Sequence, residues 1–210
     1  MFIKQIALPK EQLTTVHENA TLAEALEIMN HSGFRSIPVV DKDKQIFRGI
    51  IYKMHIYKHL AENGQMDIPV TYFLKHSTKF LNIHDSFFKV FFTIKELPFI
   101  AIVDENQKFY GIVTHNHLLK ILEKGWNIDQ GGYVLTIKAP ALRGTLTKIT
   151  KIISKYTNIL NCITMDSENP EDDHIIITLP KDISNTTQKR ILNTLKRHHF
   201  KVLKVEELAL

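Results

Sequence analysis

One short segment occurs twice in this chain, and this repetition constrains the fold more than any other feature. The chain contains RGIIYKMH at 48–55 and YGIVTHNH at 110–117, and their glycines, Gly49 and Gly111, are 62 residues apart. An apolar run that ends in aspartate precedes each copy, SIPVVD at 36–41 and FIAIVD at 99–104. Repetition at a fixed spacing predicts one supersecondary unit built twice.

Each copy predicts the same order of elements, namely strand, helix, strand, strand and helix. Apolar runs bounded by turn residues predict buried strands. Thr21 and Glu24 form a capping-box pattern at the start of a helix with apolar residues at helical spacing, and Gly33 is placed to end that helix. In the second copy we expect Asp85 to cap a Phe-rich helix at 87–94, which is apolar nearly all round and therefore predicted to be buried on several sides or to form a dimer surface.

A different pattern follows the second copy. The segment WNIDQGG at 126–132 holds two glycines and indicates a linker. The next elements are predicted as strand, helix, strand, strand, helix and strand, which is the ferredoxin-like split arrangement. We therefore predict an α+β/α/β chain with a first repeat at 1–62, a second repeat at 63–125, the linker at 126–132 and a ferredoxin-like domain at 133–210.

The composition places the chain among soluble globular proteins. It is 44% hydrophobic and 23% charged, which allows a sizeable core. No apolar run approaches the ~18 residues of a membrane span, and the N-terminal apolar stretch is too short for a signal peptide. The single cysteine, Cys162, fits a reducing compartment and is expected to be a packed thiol. These features predict a cytoplasmic protein without a membrane partner.

The charge pattern argues against a nucleic-acid partner, and the absence of catalytic motifs argues against an enzyme. The net charge is +5, and residues 1–125 carry 15 basic and 13 acidic residues against 12 and 9 in the remainder. The excess is spread along the chain without a basic stripe or a recognition-helix pattern, which argues against a nucleic-acid partner. We find no nucleophile with a base, no Gly-rich phosphate loop and no metal-ligand set, which predicts a non-enzyme without cofactor or metal.

Two family resemblances refine this picture. The helix TLAEALEIM, the run IPVVD and the Gly-hydrophobic-hydrophobic turn make the duplicated unit resemble the CBS domain, which acts as a tandem pair called a Bateman module. The C-terminal part resembles an ACT domain, with RGTLTKI at 143–149 at the family's Gly-x-Leu helix start. Chains of this order occur among bacterial regulators, including proteins similar to the acetoin-utilisation accessory type.

The resemblance implies adenine-nucleotide binding in the clefts between the two repeats. The usual ribose motif is Gly-h-h-Ser/Thr-x-x-Asp, whose carboxylate accepts hydrogen bonds from both ribose hydroxyls. Here Tyr52 and Thr114 hold the hydroxyl position, whereas His55 and His117 replace the aspartate. A ligand whose ribose hydroxyl is esterified to phosphate suits a His or Asn donor better, and cyclic di-AMP has this character. The second turn is similar to that of cyclic di-AMP receptors, with His115 and Asn116 in place of their basic pair.

By the same resemblance, two clefts collect the candidate nucleotide-binding residues. The backbone of Ser36 and Ile37 would read the adenine edge, and Arg35 would pair with phosphate. The adenine pocket is expected to hold Gln12, Thr14, Phe34, Arg35, Ser36, Ile37 and Pro38, and the pseudo-symmetric cleft is expected to hold Thr78, Phe80, Pro98 and Phe99. The turn residues Tyr52, His55, Thr114, His115, Asn116 and His117 are further candidates for nucleotide contact.

Several interpretations stay open at this point. The two histidines could contact a ligand or only begin a helix, and Tyr52 is expected to pack against a neighbouring repeat. In the ACT-like half, the loop residues Leu142, Arg143, Gly144 and Thr145 could bind an amino acid, or this domain could only dimerise. We therefore predict a homodimeric cyclic di-AMP receptor that acts on an unidentified target protein. The alternative is a sensor of AMP or ATP, or of an amino acid, that regulates a metabolic pathway.

Overall fold

The chain folds into two compact units. The computed structural model describes residues 3–127, 129–168 and 170–208. The units are Met1–Leu119 and Lys120–Leu210, and the boundary between them falls within a helix. The first unit holds the duplicated segment and the second holds the ferredoxin-like pattern.

The first unit has the predicted order of elements in duplicate. Its strands are β1 (Leu8–Pro9), β2 (Val16–His17), β3 (Ser36–Val40), β4 (Phe47–Tyr52), β5 (Phe80–Asn82), β6 (Phe99–Val103) and β7 (Phe109–Thr114). Its helices are α1 (Leu22–Ser32), α2 (Lys53–Ala61), α3 (Phe87–Thr93) and the first part of α4 (His115–Trp126).

Two sheets carry the two repeats. One has the strand order β2-β3-β4 and the other β1-β7-β6-β5. In each repeat the two long strands are antiparallel, and the short strand before the helix lies parallel to the first of them. Buried residues of both sheets form a common core in which the rings of Phe47 and Phe109 stack 5.8 Å apart. The clefts between the repeats lie beside this core.

The first segment of each repeat pairs with the last strand in the sheet of the other repeat. β1 comes from the start of the first repeat and pairs with β7, so that Leu8 lies opposite Ile112. In the matching place, Lys75 from the start of the second repeat forms an antiparallel bridge with Ile50 on β4. The two backbone hydrogen bonds between Ile50 and Lys75 measure 2.8 and 3.0 Å.

This exchange explains why the glycine of the repeated turn recurs. A Cβ at Gly111 would lie 2.0 Å from the carbonyl oxygen of Leu8, and one at Gly49 would lie 2.9 Å from that of Lys75. Gly49 also has a φ of +149°, a region that only glycine adopts at low cost. Glycine is needed at both places because the incoming backbone occupies the space of a side chain.

The helix ends of the first repeat confirm the predicted capping. The hydroxyl of Thr21 accepts a hydrogen bond from the N–H of Glu24 at 3.2 Å, and the Glu24 carboxylate accepts one from the N–H of Thr21 at 2.8 Å. Gly33 follows α1 in the left-handed conformation, with a φ of 73°. α1 therefore begins and ends where the sequence placed it.

The second repeat departs from two predictions. The N-cap of α3 is Ser86 and not Asp85, whose carboxylate instead accepts hydrogen bonds from the N–H of Asn82 and the ammonium of Lys89. Within the single chain this helix is also not buried on several sides, because Phe88 and Phe92 are 70% and 75% exposed, and the prediction that it forms a dimer surface stays a prediction. The apolar composition of α3 did not show which side of the helix would meet the sheet.

The second unit has the predicted ferredoxin-like order. Its elements are β8 (Gly131–Pro140), α5 (Thr145–Ile153), β9 (Asn161–Asp166), β10 (Asp172–Pro180), α6 (Asn185–Arg197) and β11 (Lys201–Glu207). The antiparallel sheet has the order β11-β8-β10-β9. Buried residues of α5 and α6 join one core with alternate residues of β8 and β10, so both helices pack on the same sheet face.

The segment expected as a linker is shorter than predicted. α4 continues to Trp126, and β8 already begins at Gly131, so both glycines of WNIDQGG belong to the first strand. Ile128 of this segment lies outside the described residues.

A glycine substitution tests the exchanged strand. We expect Gly111→Ala to lower the free energy of unfolding by about 1–3 kcal/mol, because the added methyl group displaces β1. Differential scanning calorimetry measures the change. Gly125→Ala serves as the control, since a Cβ at this helical position meets nothing within 4 Å. Equal midpoints for Gly111→Ala and the wild type would contradict the role assigned to the close backbone contact.

The single thiol tests the packing of β9. Cys162 is half-buried against the core of the second unit, and burial raises the pKa of its thiol. At about pH 8 the folded chain therefore holds less thiolate than the unfolded chain. We expect iodoacetamide to alkylate Cys162 more slowly in the native protein than in denaturant. A native rate equal to the denatured rate would show that the thiol is not packed.

Candidate functional site

A cavity of about 630 Å³ lies between the two repeats of the first unit. It opens where the segment after α1 meets the end of β7 and the start of α4. The lining consists of Leu8, Gln12, Leu13, Thr14, Gly33, Phe34, Arg35, Ser36, Ile37, Pro38, Pro98, Phe99, Ile112, Thr114 and Asn116. This volume lies within the range of small-molecule sites in proteins.

The structure brings most of the predicted first cleft together in this cavity. The residues before α1, the segment from Phe34 to Pro38 and two residues of the second turn all take part. Leu8 and Ile112 were not predicted, because only the pairing of β1 with β7 places them side by side. Leu13 lies between two predicted residues, so the sequence neighbourhood could have indicated it.

The turn after α1 presents an aromatic ring and a guanidinium group. Gly33 ends the helix in a left-handed conformation, and the chain then turns through Phe34 and Arg35 into β3. Phe34 is 52% exposed at the cavity, which leaves its ring available for stacking. The Arg35 side chain is exposed and makes no hydrogen bond or ion pair with any described residue. The cavity thus holds one cationic group that is free to meet an anion.

The hydrogen-bond pattern of β3 directs the backbone of Ser36 away from β4. Ile50 lies opposite Pro38, and its N–H and C=O both bond to Lys75 on the other side. This antiparallel pair is therefore not hydrogen-bonded, and bonded and non-bonded pairs alternate along the ladder. Ile37 consequently bonds within the ladder, whereas Ser36 directs its N–H and C=O outward.

The outward groups of Ser36 have no strand partner. β2 covers β3 only opposite Val39 and Val40, and no described residue bonds to the Ser36 backbone on this side. One N–H and one C=O therefore face the cavity edge and can bind a planar ring that offers an acceptor beside a donor. The sequence predicted this role for Ser36 and Ile37 together, but the ladder uses the backbone of Ile37.

The second turn supplies the polar end of the cavity. The hydroxyl of Thr114 accepts a hydrogen bond from the N–H of His117 at 3.2 Å and thereby caps α4. Asn116 lies in the first turn of this helix and lines the cavity. The first N–H groups of a helix lack internal partners and carry partial positive charge. This end of the cavity can therefore bind an anionic group.

The histidines of the repeated turns do not line this cavity. His115 is exposed outside the lining, and His117 takes part in the cap through its backbone. His55 borders a different hollow of about 350 Å³, together with residues of α2 and of the 70–75 segment. The histidine positions therefore mark helix starts more directly than ligand contacts.

The pseudo-symmetric cleft differs from the first one. Tyr52 is the counterpart of Thr114, and its partly buried ring packs against the core between the repeats and lies 5.3 Å from the His55 ring. Burial raises the pKa of the Tyr52 phenol. Pro98 and Phe99, expected in this second cleft, line the first cavity instead, whereas Thr78 and Phe80 do not. Residues expected in both clefts thus line the first cavity.

The candidate amino-acid loop of the second unit borders its own cavity. Leu142, Arg143 and Thr145 line a hollow of about 590 Å³ at the start of α5. Gly144 is the N-cap of this helix in a left-handed conformation and is not part of the lining.

The described residues contain neither a metal-binding cluster nor a membrane-spanning helix. Within 3–127, 129–168 and 170–208, no three His, Cys, Asp or Glu side chains group in a way that could hold a metal ion. No described helix combines the length and the apolar character needed to cross a membrane.

The family of the chain follows from a match to a known family model. The CBS domain model matches residues 3–62 and 72–124, which are the two repeats and more than half of the chain. The chain belongs to the CBS domain family. Among curated proteins, UPF0053 protein YhdT of Bacillus subtilis is 26% identical over 124 residues, which are 56% of this chain and 26% of YhdT. The match thus spans about a quarter of that relative.

Solved structures share the fold. A CBS domain-containing protein from Bacillus anthracis is 27% identical with a TM-score of 0.52, over 59% of this chain and 94% of that one. CbpB in complex with c-di-AMP is 17% identical with a TM-score of 0.54, over 59% and 85% of the two chains. A CBS domain pair/ACT domain protein from Thermotoga maritima is 22% identical with a TM-score of 0.51, over 59% and 98%.

The cap on α4 gives a test of the site's polar end. We expect Thr114→Val to lower the free energy of unfolding by about 1 kcal/mol, because the N-terminus of α4 loses its side-chain acceptor. Thr114→Ser keeps the hydroxyl and should retain most of the stability. Chemical denaturation followed by circular dichroism measures both variants. If the valine and serine variants unfold alike, the hydroxyl does not stabilise the helix start.

Proposed function

We propose that this protein is a non-catalytic regulator that binds cyclic di-AMP in the cavity between its two CBS repeats. The observation that carries the proposal is the set of free groups around this cavity. A backbone donor and acceptor, an exposed aromatic ring, one unpaired guanidinium and a helix N-terminus converge there. CBS domain proteins are generally regulatory, which supports a sensing role.

The apolar part of the cavity suits an adenine ring. The N–H and C=O of Ser36 complement an adenine edge, which offers a ring nitrogen acceptor beside an amino donor. Phe34 can stack on the ring, and Ile37 and Pro98 supply apolar walls. Aromatic stacking on a base contributes about 1–3 kcal/mol.

The polar part suits a phosphate group. Arg35 can form two parallel hydrogen bonds to a phosphate. Asn116 and the first N–H groups of α4 add neutral donors at the other side. The charge of such a site is low, since Arg35 is the one Lys or Arg in the lining.

The choice of a cyclic dinucleotide rests on the ribose. The lining contains no Asp or Glu, so a free pair of ribose hydroxyls would find no carboxylate acceptor. In cyclic di-AMP one hydroxyl of each ribose is esterified, and the ligand loses little without that acceptor. The complex of CbpB with c-di-AMP supports this choice, although that likeness concerns the fold.

A simple adenine nucleotide is the second candidate. CBSX2 in complex with AMP is 14% identical over 59% of this chain, with a TM-score of 0.50. The free Ser36 groups would serve AMP or ATP equally well. The ACT-like unit could instead bind an amino acid at Leu142 and Thr145, and it could dimerise the protein.

Regulation requires that the ligand favours one state of the protein. Binding between the repeats joins the segment after α1 to the start of α4, and it can therefore change how the repeats lie together. We propose that this change alters a homodimer and is passed to a target protein. Such a shift requires different affinities for the two states.

Calorimetric titration tests the ligand. We expect the purified protein to bind cyclic di-AMP more tightly than AMP or ATP. Arg35→Ala should weaken the affinity at least about tenfold, since a charge-assisted pair contributes about 1.5–3 kcal/mol. Lys42→Ala is the matched control, because it also removes one exposed positive charge and lies outside the cavity. Equal affinity for all three nucleotides, or no binding of any, would refute the cyclic di-AMP proposal.

A further inference from the structure

The second unit separates its charges strongly. Both helices, with the sequences TLTKITKII and NTTQKRILNTLKR, contain no acidic residue. Five of the ten acidic residues of this unit lie between 166 and 173, and the others are at 123, 129, 182, 206 and 207. Since α5 and α6 pack on the same sheet face, their cations share one outer surface.

Three adjoining hollows form this surface, which we call the basic face. The first holds Arg143, Lys148, Lys151 and Lys155, together with His198 and His199. The second and third share Lys196, and they add Arg190 and Arg197 in one and Lys201 in the other. No Asp or Glu occurs in any of the three linings.

The cations of the basic face form no ion pair with any residue that the structure describes. Lys148, Lys151 and Lys155 are exposed, and none of them forms an ion pair with a described residue. The ion pairs described in this unit, Lys138 with Asp172 and Lys204 with Glu206, involve strand residues outside the basic face. Concave surfaces lined by one sign of charge concentrate the electric field and attract counter-ions.

This arrangement differs from the even charge distribution expected from the sequence. Arg143, the lysines of α5, the cations of α6 and Lys201 belong to separate segments, so no basic stripe is visible along the chain. These cations meet on one surface only because α5 and α6 pack side by side on the same face of the antiparallel sheet. The sequence argument against a nucleic-acid partner therefore loses its basis in this unit.

We propose that the basic face binds the phosphate backbone of a nucleic-acid duplex, without reading its sequence. The face extends along α6, whose 13 residues span about 20 Å. Duplex DNA carries one negative charge per ~1.7 Å of axis, so a polyanion of this density matches eight Lys and Arg over that length. A single small anion would leave most of them unpaired.

Two features favour a duplex over other polyanions. Single strands are held by stacking on exposed aromatic rings, whereas the Phe and Tyr rings in these linings are Phe200, which is buried, and Tyr156, whose hydroxyl bonds to Thr194. The cations also line concave hollows, which fit the convex ridge of a duplex backbone.

Fluorescence anisotropy with the full-length protein tests the proposal. The probe is a labelled mixed-sequence DNA duplex of about 24 base pairs, titrated at several salt concentrations. We expect the logarithm of the association constant to fall linearly with the logarithm of the salt concentration, with a slope of about −5 or steeper. Reversal of three lysines in and just after α5, termed the α5 variant, should weaken binding at least about tenfold and reduce the slope by about 3. These changes are Lys148→Glu, Lys151→Glu and Lys155→Glu.

The control reverses three exposed lysines outside the basic face. These changes are Lys42→Glu, Lys108→Glu and Lys181→Glu. The control variant carries the same net charge as the α5 variant. Its affinity for the duplex should lie within about twofold of the wild-type affinity at the same salt concentration. If the reversed α5 variant unfolds, the corresponding Lys→Gln changes remove the charges without adding acidic groups, and they should reduce the slope equally.

Three results would overturn the proposal. The first is equal binding of the α5 variant and its control. The second is a salt slope near −1, which would indicate a single anion contact. The third is tighter binding to phosphatidylserine vesicles than to the duplex at equal phosphate concentration, which would assign the face to a membrane surface. None of these results depends on nucleotide binding in the first unit.

Discussion

The reciprocal pairing of backbone segments between the two repeats is the interaction on which the first unit depends. β1 pairs with β7, and Lys75 pairs with Ile50, so each repeat completes the sheet of the other. The close approach demands glycine at 49 and 111, where any side chain would meet a carbonyl oxygen. The feature that repeats in the sequence is therefore a requirement of backbone packing, and it recurs because the fold recurs.

The same pairing shapes the candidate site. Because Ile50 bonds to Lys75, the ladder between β3 and β4 alternates so that Ser36 directs its donor and acceptor outward. The cavity forms where β2 stops short of Ser36. The two repeats differ at matching positions, since Thr114 lines the cavity whereas the ring of Tyr52 packs against the core between the repeats. The cavity lined by Thr114 thus holds free polar groups.

The sequence anticipated the site unevenly, and the physical reason differs from residue to residue. Arg35, Ser36 and Thr114 were expected because the chain resembles the CBS domain, and the resemblance carries over to them since they lie at fixed offsets from helix and strand boundaries. The histidines of the second turn lie outside the lining of the first cavity, because a helix start directs side chains outward as well as inward, and their contact with a ligand stays a prediction. Pro98 and Phe99 were expected in the pseudo-symmetric cleft and line the first cavity, since the sequence does not show how two similar sheets face each other.

By itself, the sequence determined the duplicated unit, the ferredoxin-like order of the second unit and the helix ends at Thr21 and Gly33. These features depend on local spacing, capping and turn chemistry, which a short segment contains in full. Only the tertiary structure decided which face of α3 stays exposed, which backbone groups of β3 remain unpaired and how the cations of α5 and α6 meet. Each of these depends on contacts between segments far apart in the chain, and no local pattern records such contacts.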